Sequence, residues 1–170
     1  MIIHLDTEFT DFPKSEQDLI SIGLVDENGR DFYAELTDYR KEACSGFVKE
    51  VVIPLLKQYP KRIEGSRWQV AQQLNKWLQP YKDNCVVCFD YHADWDLMRE
   101  MLMLLPDEDL PDFIVAKNIW GAIDKNKFEQ YFLETQLTPH MALYDAYANR
   151  AAFNQAYLHV LKGRYGNDQS

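Results

Sequence analysis

The chain has 170 residues, a length that fits one domain and is sufficient to bury a hydrophobic core. Hydrophobic residues make up 46% of the sequence, which excludes a disordered chain, and no apolar run is long enough to span a membrane. The formal net charge of −9 is unusual for a nucleic-acid-binding protein, because phosphate is normally bound by an excess of Lys and Arg. Composition therefore favours another partner, unless divalent cations supply positive charge at the phosphate.

The amino-terminal sequence and the cysteine count indicate the cellular compartment. The first residues lack the basic region and the long apolar stretch of a signal peptide. Three cysteines, an odd number, argue against a disulfide framework. We expect a cytoplasmic protein with one domain over residues 1–170 and no contact with a membrane.

The first part of the sequence contains three segments typical of β-strands. Residues 2–6 form a short apolar strand, residues 19–25 form a second strand, and residues 31–36 form a third. The Asn28-Gly29 pair suits a turn that needs a positive φ. The second and third strands are therefore predicted to form an antiparallel hairpin.

Two helical patterns follow the hairpin. A helix is predicted over residues 41–59, with a break at Pro54. Residues 66–69 (SRWQ) form a capping-box sequence, and the helix that they begin ends at Pro80. The predicted apolar stripe of this second helix consists of Trp68, Ala71, Leu74, Trp77 and Leu78.

The second half of the chain alternates strands with helices. Residues 85–89 form a fourth strand, which precedes a helix over residues 94–105. Residues 112–119 are ambiguous between a short fifth strand and the approach to a helix, and the last helix is predicted over residues 141–162, with Gly163 ending it. This order predicts an α/β fold with helices on both faces of a mixed sheet.

The first chemical motif is an acidic pair at the end of the opening strand. Side chains alternate along a strand, so Asp6 and Glu8 project from the same face. Adjacent carboxylates repel each other and resist burial unless a positive group lies between them. The pair is either a divalent-cation site or two solvated carboxylates at a strand terminus.

The second motif is a group of aspartates where the fourth strand runs into a helix. Asp94 is predicted to cap the helix, because acidic residues favour that end. Asp96 lies between Trp95 and further apolar residues, so we predict that Asp96 is the ligand. Asp90 is the alternative ligand.

The third motif is His-x4-Asp at the start of the last helix. Pro139 marks the helix start, which places His140 at its beginning and Asp145 in its second turn. An unperturbed histidine has a pKa that permits general-base catalysis near neutral pH. A lone histidine at this position is more often a surface residue, and the other two motifs favour the catalytic interpretation.

The three motifs, in this order, resemble those of the DEDDh 3′–5′ exonucleases of the RNase H-like superfamily. That family includes RNase T, oligoribonuclease and the proofreading subunits of DNA polymerases. The resemblance extends from residue 2 to about residue 157. It rests on the segments DTEF (6–9), LISIGLV (19–25), ADWD (93–96) and HMALYDA (140–146).

The resemblance implies a fold and a chemistry. The fold is an RNase H-like mixed five-stranded sheet, with three antiparallel strands followed by parallel ones. Two Mg²⁺ or Mn²⁺ ions, roughly 3.5–4 Å apart, would stabilise displacement at phosphorus and release 5′-mononucleotides from a 3′ end. Their ligands would be Asp6, Glu8, Asp96 and Asp145. His140 would take the proton from the attacking water, and Thr7 and Phe9 would contact the substrate, Phe9 by stacking on a base.

Within this family, the short chain and the helix containing Trp68 are most similar to a small bacterial and phage exoribonuclease branch. RNA with a free 3′ end is therefore the expected partner, and a homodimer is possible. One alternative is a 3′–5′ DNA exonuclease, since the motifs do not show how a 2′-hydroxyl is read. Another is a catalytically silent interaction domain, which would be expected to lack one of the ligands.

Several other residues have two interpretations. Cys85 and Cys88 have the spacing of half a zinc site, but no second pair follows, so both are predicted to lie in the core. Trp68 and Trp95 either stack on bases or pack in the core, and packing is favoured for Trp95. Basic side chains either contact phosphate or are merely solvated, and they are Lys61, Arg62, Arg67, Lys125 and Lys127.

Overall fold

A mixed sheet of six strands runs through the centre of the structure. The computed structural model describes residues 1–11, 17–82, 85–106, 111–154 and 157. The strands are β1 (Ile2–Phe9), β2 (Leu19–Asp26), β3 (Asp31–Leu36), β4 (Ile63–Gly65), β5 (Cys85–Phe89) and β6 (Ile114–Asn118). They are arranged in the order β4-β3-β2-β1-β5-β6.

The first three strands form the predicted antiparallel unit. β1 pairs with β2, and β2 pairs with β3, both antiparallel. In the turn, Gly29 has a φ of 90°, and Asp26 accepts hydrogen bonds from the backbone N–H groups of Asn28 and Arg30 at 2.9 and 2.8 Å. The hairpin prediction is confirmed.

The strands β1, β5 and β6 are parallel. Parallel neighbours end at the same edge of a sheet, and ligands commonly bind at that edge in open α/β sheets. The acidic pair ends β1, and Asp90 directly follows β5. The topology therefore brings two of the sequence motifs to one edge.

The sheet has one strand more than predicted, because β4 pairs parallel to β3. Its three residues are too few to show an alternating pattern. The helix predicted over 41–59 is also corrected: this region holds a π-helical turn (Val48–Val52) between two short 3-10 turns (Lys41–Ala43 and Ile53–Leu55). Pro54 contributes to the break, since it has no N–H to donate to a helical hydrogen bond.

Helices lie on both faces of the sheet. They are α1 (Arg67–Leu78), α2 (His92–Leu102), α3 (Lys125–Thr135) and α4 (Ala142–Ala152). On one face, α1 and α2 enclose the larger core with alternate residues of β1, such as Ile3 and Leu5. On the other face, α4 packs against β1 and β2, and α3 packs on α4. The predicted α/β fold with a mixed sheet is confirmed, and it is compatible with an RNase H-like fold.

The capping box of α1 forms as predicted. The side chain of Ser66 accepts from the N–H of Gln69, whose side chain accepts from the N–H of Ser66 at 2.9 Å. Trp68, however, is 51% exposed. At 100° per residue it lies well outside the buried stripe centred on Leu74, so its predicted place in the stripe is wrong.

The last two helices differ from the prediction. No helix was predicted over residues 125–135. The helix α3 packs on α4, but its aromatic residues at helical spacing, Phe128, Tyr131 and Phe132, are only half-buried, and none of its residues is fully buried. α4 ends at Ala152, earlier than predicted: Phe153 is extended, with φ −66° and ψ 126°, and forms an antiparallel bridge with Ile123. Gly163, the predicted end, lies outside the described residues.

Cys85 and Cys88 are buried in the core, as predicted. Burial raises the pKa of the Cys85 thiol to about 11 and that of Cys88 to about 12, so both thiols are protonated at neutral pH.

Among the described residues, no helix combines the length and apolarity that crossing a membrane requires.

Close contact between β2 and α4 depends on Gly23. A Cβ atom at Gly23 would overlap the backbone of Ala142 and Leu143 in α4. Gly23 pairs with Asp6 of β1, so the helix passes directly over the acidic end of the sheet. Asp145, one turn further along α4, is held at this edge by that contact.

We predict that Gly23→Ala displaces α4 and lowers the free energy of unfolding by about 1–3 kcal/mol, the range for overpacking. Urea unfolding measures the change. Gly121→Ala is the control, because a Cβ atom there meets nothing within 4 Å. Equal stability of the two variants would contradict the close packing of α4 on β2.

Candidate active site

Six titratable side chains converge at the carboxyl ends of β1 and β5. Among the described residues they form two groups, and within each group one ligand atom per residue lies within 4.8 Å of the others. One group contains Asp6, Asp90 and Asp94, and the other contains Glu8, His140 and Asp145. All three sequence motifs therefore contribute to this edge of the sheet.

The first turn of α2 contributes Asp94, which backbone and side-chain groups at the start of α2 and the end of β1 hold in place. One carboxylate oxygen accepts from the hydroxyl and the backbone N–H of Thr7, at 2.7 and 3.2 Å. The other accepts from the backbone N–H of Tyr91 at 3.3 Å. Asp94 is 2% exposed. It therefore caps the helix, as predicted, and also lies within the acidic cluster.

The structure brings Asp94, rather than Asp96, to the cluster. Residues two apart on a helix point about 200° apart, so both side chains cannot face the end of β1. Asp96 belongs to neither group of possible ligands among the residues described. We therefore propose Asp94, in place of Asp96, as the ligand from this motif. A cap and a ligand are compatible roles, because a carboxylate has about four lone-pair sites.

Asp145 and His140 come from the start of α4 and the segment before it. The backbone N–H of His140 donates to the carboxylate of Asp145 at 2.8 Å. His140 has a φ of 67°, a left-handed conformation that a side-chain-bearing residue rarely adopts. Asp145 is 8% exposed, whereas His140 is exposed. A buried carboxylate thus fixes the backbone that presents the imidazole.

The imidazole of His140 also contacts Phe47, which precedes the π-helical turn. The ring centroids are 5.1 Å apart and the planes are nearly perpendicular, at 88°. This edge-on arrangement is a favoured geometry for aromatic rings. Partial burial lowers the pKa of His140 below its usual value, so the ring is neutral at neutral pH and can accept a proton. The sequence did not indicate Phe47.

All five carboxyl groups of the cluster have raised pKa values, and burial is the largest cause in each case. The pKa is about 8 for Glu8, about 8 for Asp94 and about 7 for Asp145. That of Asp6 is raised well above its usual range, with the charges of Asp94 and Asp145 adding to the effect of burial. Clustered oxygen ligands that resist ionisation together are the environment that a divalent cation stabilises, so these residues fit Mg²⁺ or Mn²⁺.

Asp90, the alternative ligand, is held by two asparagines that the sequence analysis did not select. Asn149 of α4 donates to the carboxylate of Asp90 at 3.2 Å, and Asn118 donates to its backbone carbonyl at 3.3 Å. Asn149 is 1% exposed and lies one turn beyond Asp145, on the same face of the helix. That spacing is the signal that could have identified it.

Thr7 and Phe9, both predicted to contact the substrate, have different surroundings in the structure. Thr7 is 5% exposed and directs both its hydroxyl and its N–H to Asp94, so it positions that carboxylate. Phe9 stacks on Tyr91, with centroids 6.3 Å apart. It also lines a groove of about 360 Å³ next to the acidic cluster. The residues that line this groove are Glu8, Phe9, Asp11, Ser45, Phe47 and Val48.

Two of the basic side chains considered as phosphate contacts have structural partners. Arg67 donates to Asp18, and Arg62 pairs with Glu35 at 3.6 Å. Trp95 stacks on Phe89 and packs against the core, as predicted.

Comparison with known proteins yields a partial match. No protein-family model matches the chain. Two curated proteins, from Mycobacterium tuberculosis strains CDC 1551 / Oshkosh and ATCC 25618 / H37Rv, are each 35% identical to it over 74 residues. Both are named 3′-5′ exoribonuclease. The matched segment covers 44% of this chain and 44% of each relative, so the chain is similar to these enzymes over less than half of their length.

The raised pKa values predict how the stability of the metal-free protein depends on pH. Between pH 6.5 and 8, folded Glu8 and Asp94 retain protons that the unfolded chain has released, so raising the pH favours unfolding. His4, whose pKa burial lowers to about 3, has the opposite effect, but mainly below pH 6.5. We expect the free energy of unfolding in EDTA to fall across this window. A rise would contradict the assigned burial of these carboxyl groups.

Exchanging Asp94 or Asp96 tests which of them is the ligand. Asp94→Asn keeps an acceptor for Thr7 but removes a charge from the cluster, so we expect the increase in Tm caused by Mn²⁺ to shrink strongly. Asp96→Asn is the matched control on the same helix and should retain the increase. Thermal unfolding with and without Mn²⁺ measures both. The reverse result would restore Asp96 as the ligand.

Proposed function

We propose that this chain is a metal-dependent 3′–5′ exoribonuclease that releases 5′-mononucleotides from the 3′ end of RNA. The observation that carries the proposal is the convergence of Asp6, Glu8, Asp94 and Asp145 beside His140 at one edge of the sheet. The similarity to two proteins named 3′-5′ exoribonuclease supports it. Membership of the DEDDh group and an RNase H-like fold are parts of the same proposal.

Two Mg²⁺ or Mn²⁺ ions, when bound, supply positive charge that stabilises the attacking and leaving oxygens at phosphorus. The residues that would hold them are Asp6, Glu8, Asp94 and Asp145. A carboxylate oxygen of Asp90 also lies within 4.8 Å of those of Asp6 and Asp94. Thr7 and the amino-terminal turn of α2 fix Asp94, and α4 fixes Asp145. Metal binding also accounts for an acidic protein acting on a polyanion, because the protein's net charge of −9 is offset where phosphate lies.

His140 is the proposed general base. One nitrogen of its ring lies within 4.8 Å of carboxylate oxygens of Glu8 and Asp145, next to the place where a phosphate would be held. Its lowered pKa keeps the ring neutral, so it can take the proton from an attacking water. Phe47 and the backbone bond to Asp145 hold it in this position.

The groove beside Glu8 is the proposed site of the terminal nucleotide. It borders the acidic cluster through Glu8, and two aromatic rings, Phe9 and Phe47, line it. Aromatic side chains bind unpaired bases by stacking, independently of sequence. An occupant of the groove would also touch Phe47, which contacts His140.

The direct test is degradation of a 5′-labelled RNA oligonucleotide by the purified protein. With Mn²⁺ or Mg²⁺ we expect stepwise shortening from the 3′ end and 5′-mononucleotide products, and EDTA should stop the reaction. A DNA oligonucleotide of the same sequence, added in competition, measures the preference for RNA. The absence of degradation with either metal on either nucleic acid would refute an exonuclease.

His140→Ala tests the general base separately from metal binding. We expect turnover to fall by roughly 10²–10⁴-fold, the usual contribution of general acid–base catalysis, while the Mn²⁺-induced increase in Tm is largely kept. His92→Ala, which removes an exposed histidine of α2, is the matched control and should retain turnover. Full activity of His140→Ala would contradict the role of this imidazole.

A further inference from the structure

Beyond the acidic cluster, the same edge of the sheet displays an exposed tryptophan. Trp120 directly follows β6 and Ile119, and 58% of its surface is exposed. Its backbone N–H donates to the side chain of Asn118 at 3.0 Å, and the same side chain donates to the carbonyl of Asp90 at 3.3 Å. The side-chain amide of Asn118 thus connects the backbone of Trp120 to Asp90, which belongs to the acidic cluster.

Buried side chains and backbone hydrogen bonds hold the segment that carries Trp120. Ile119 is 1% exposed and donates its N–H to the carbonyl of Phe89 at 2.8 Å. Ala122 is buried and donates to the carbonyl of Ile119 at 2.8 Å. The residues around Trp120 therefore bury their side chains while the indole remains in solvent. An exposed aromatic ring on a backbone held in this way offers a face on which an unpaired base stacks.

A lysine accompanies the indole. The ammonium of Lys125 lies 4.7 Å from the centre of the Trp120 ring. Lys125 occupies the first turn of α3, where the helix dipole disfavours positive charge, and Lys127 follows in the same turn. Asp124 already caps the backbone N–H groups of Asn126 and Lys127. Neither the helix dipole nor the capping of α3 therefore accounts for lysine at this position.

We propose that Trp120 and Lys125 form a second nucleic-acid contact, which binds an unpaired base and its phosphate upstream of the 3′ end. The indole offers a stacking surface that accepts any base, and the ammonium offers a charge to the phosphate. A base must be unpaired to stack in this way, so the substrate class is single-stranded RNA or a single-stranded 3′ tail. This inference rests on the proposed exonuclease function.

The order of the strands indicates which nucleotide of the substrate Trp120 and Lys125 would contact. The groove for the terminal nucleotide adjoins β1, whereas Trp120 follows β6, which is separated from β1 by β5. Two strand spacings are about 10 Å, so one base cannot stack both in the groove and on Trp120. We therefore expect Trp120 and Lys125 to contact a nucleotide further from the 3′ end of the RNA. A dinucleotide should gain less binding energy from this contact than a longer RNA does.

The test compares Trp120→Ala with Trp68→Ala. Trp68 is the matched control. It is 51% exposed, but its helix α1 follows β4, which lies at the opposite side of the sheet from β6, so Trp68 cannot stack on the base that Trp120 would contact. For a long unstructured oligoribonucleotide, Trp120→Ala should raise KM about tenfold with a smaller effect on kcat, as expected when one stacked base is lost. The increase should be smaller for a dinucleotide. Trp68→Ala should change neither KM.

A binding measurement without catalysis complements the kinetics. In EDTA, the same oligoribonucleotide should quench the tryptophan fluorescence of the wild-type protein and of Trp68→Ala, and the quenching should be reduced in Trp120→Ala. Lys125→Ala should weaken binding and lower the slope of log affinity against log salt by about 1, whereas Lys76→Ala should not. Circular dichroism and Tm establish that the variants are folded.

The outcomes separate this inference from the proposed function. Equal KM values for Trp120→Ala and Trp68→Ala on the long substrate, together with equal quenching, would overturn the second contact while RNA degradation by the wild type stood. If the wild type degrades no RNA but Trp120-dependent quenching persists, the contact stands and the exonuclease proposal falls.

Discussion

The structure of this edge is governed by the repulsion between carboxylates that the fold holds close together. Asp6 and Glu8 emerge from one strand, and Asp94 and Asp145 are brought to them by two helices from opposite faces of the sheet. Their raised pKa values express the cost of ionising them together in a buried place. A fold that existed for stability alone would place apolar side chains here. We therefore propose that the cluster is a cation site, which the fold maintains at a cost in stability.

The neighbouring residues serve that cluster. Thr7 holds Asp94 from the strand side, and Asn149 restrains Asp90 from α4. Gly23 lets α4 approach closely enough for Asp145 to reach the same edge. Such supporting residues fix the direction of each carboxylate, and ligand geometry depends on them as much as on the ligands themselves. His140 stands outside this buried set, beside Phe47, where a proton can leave toward solvent.

Much of this arrangement could be predicted from the sequence, and the exceptions have physical causes. Strand alternation placed Asp6 and Glu8 on one face, and the Asn28-Gly29 turn identified the hairpin, because both signals are local. The choice between Asp94 and Asp96 depended on which side of a helix faces β1, and that is decided by tertiary packing. The exposure of Trp68 and the half-burial of the aromatic residues of α3 likewise follow from what the rest of the chain covers.

The central claim is that these four carboxylates, from β1, α2 and α4, share bound divalent cations. Crystals of the protein grown with Mn²⁺, measured for anomalous scattering near the manganese edge, test it most directly. We expect anomalous peaks enclosed by Asp6, Glu8, Asp94 and Asp145, with Asp96 outside the coordination shell. Peaks only at other sites, or none at this edge of the sheet, would contradict the account.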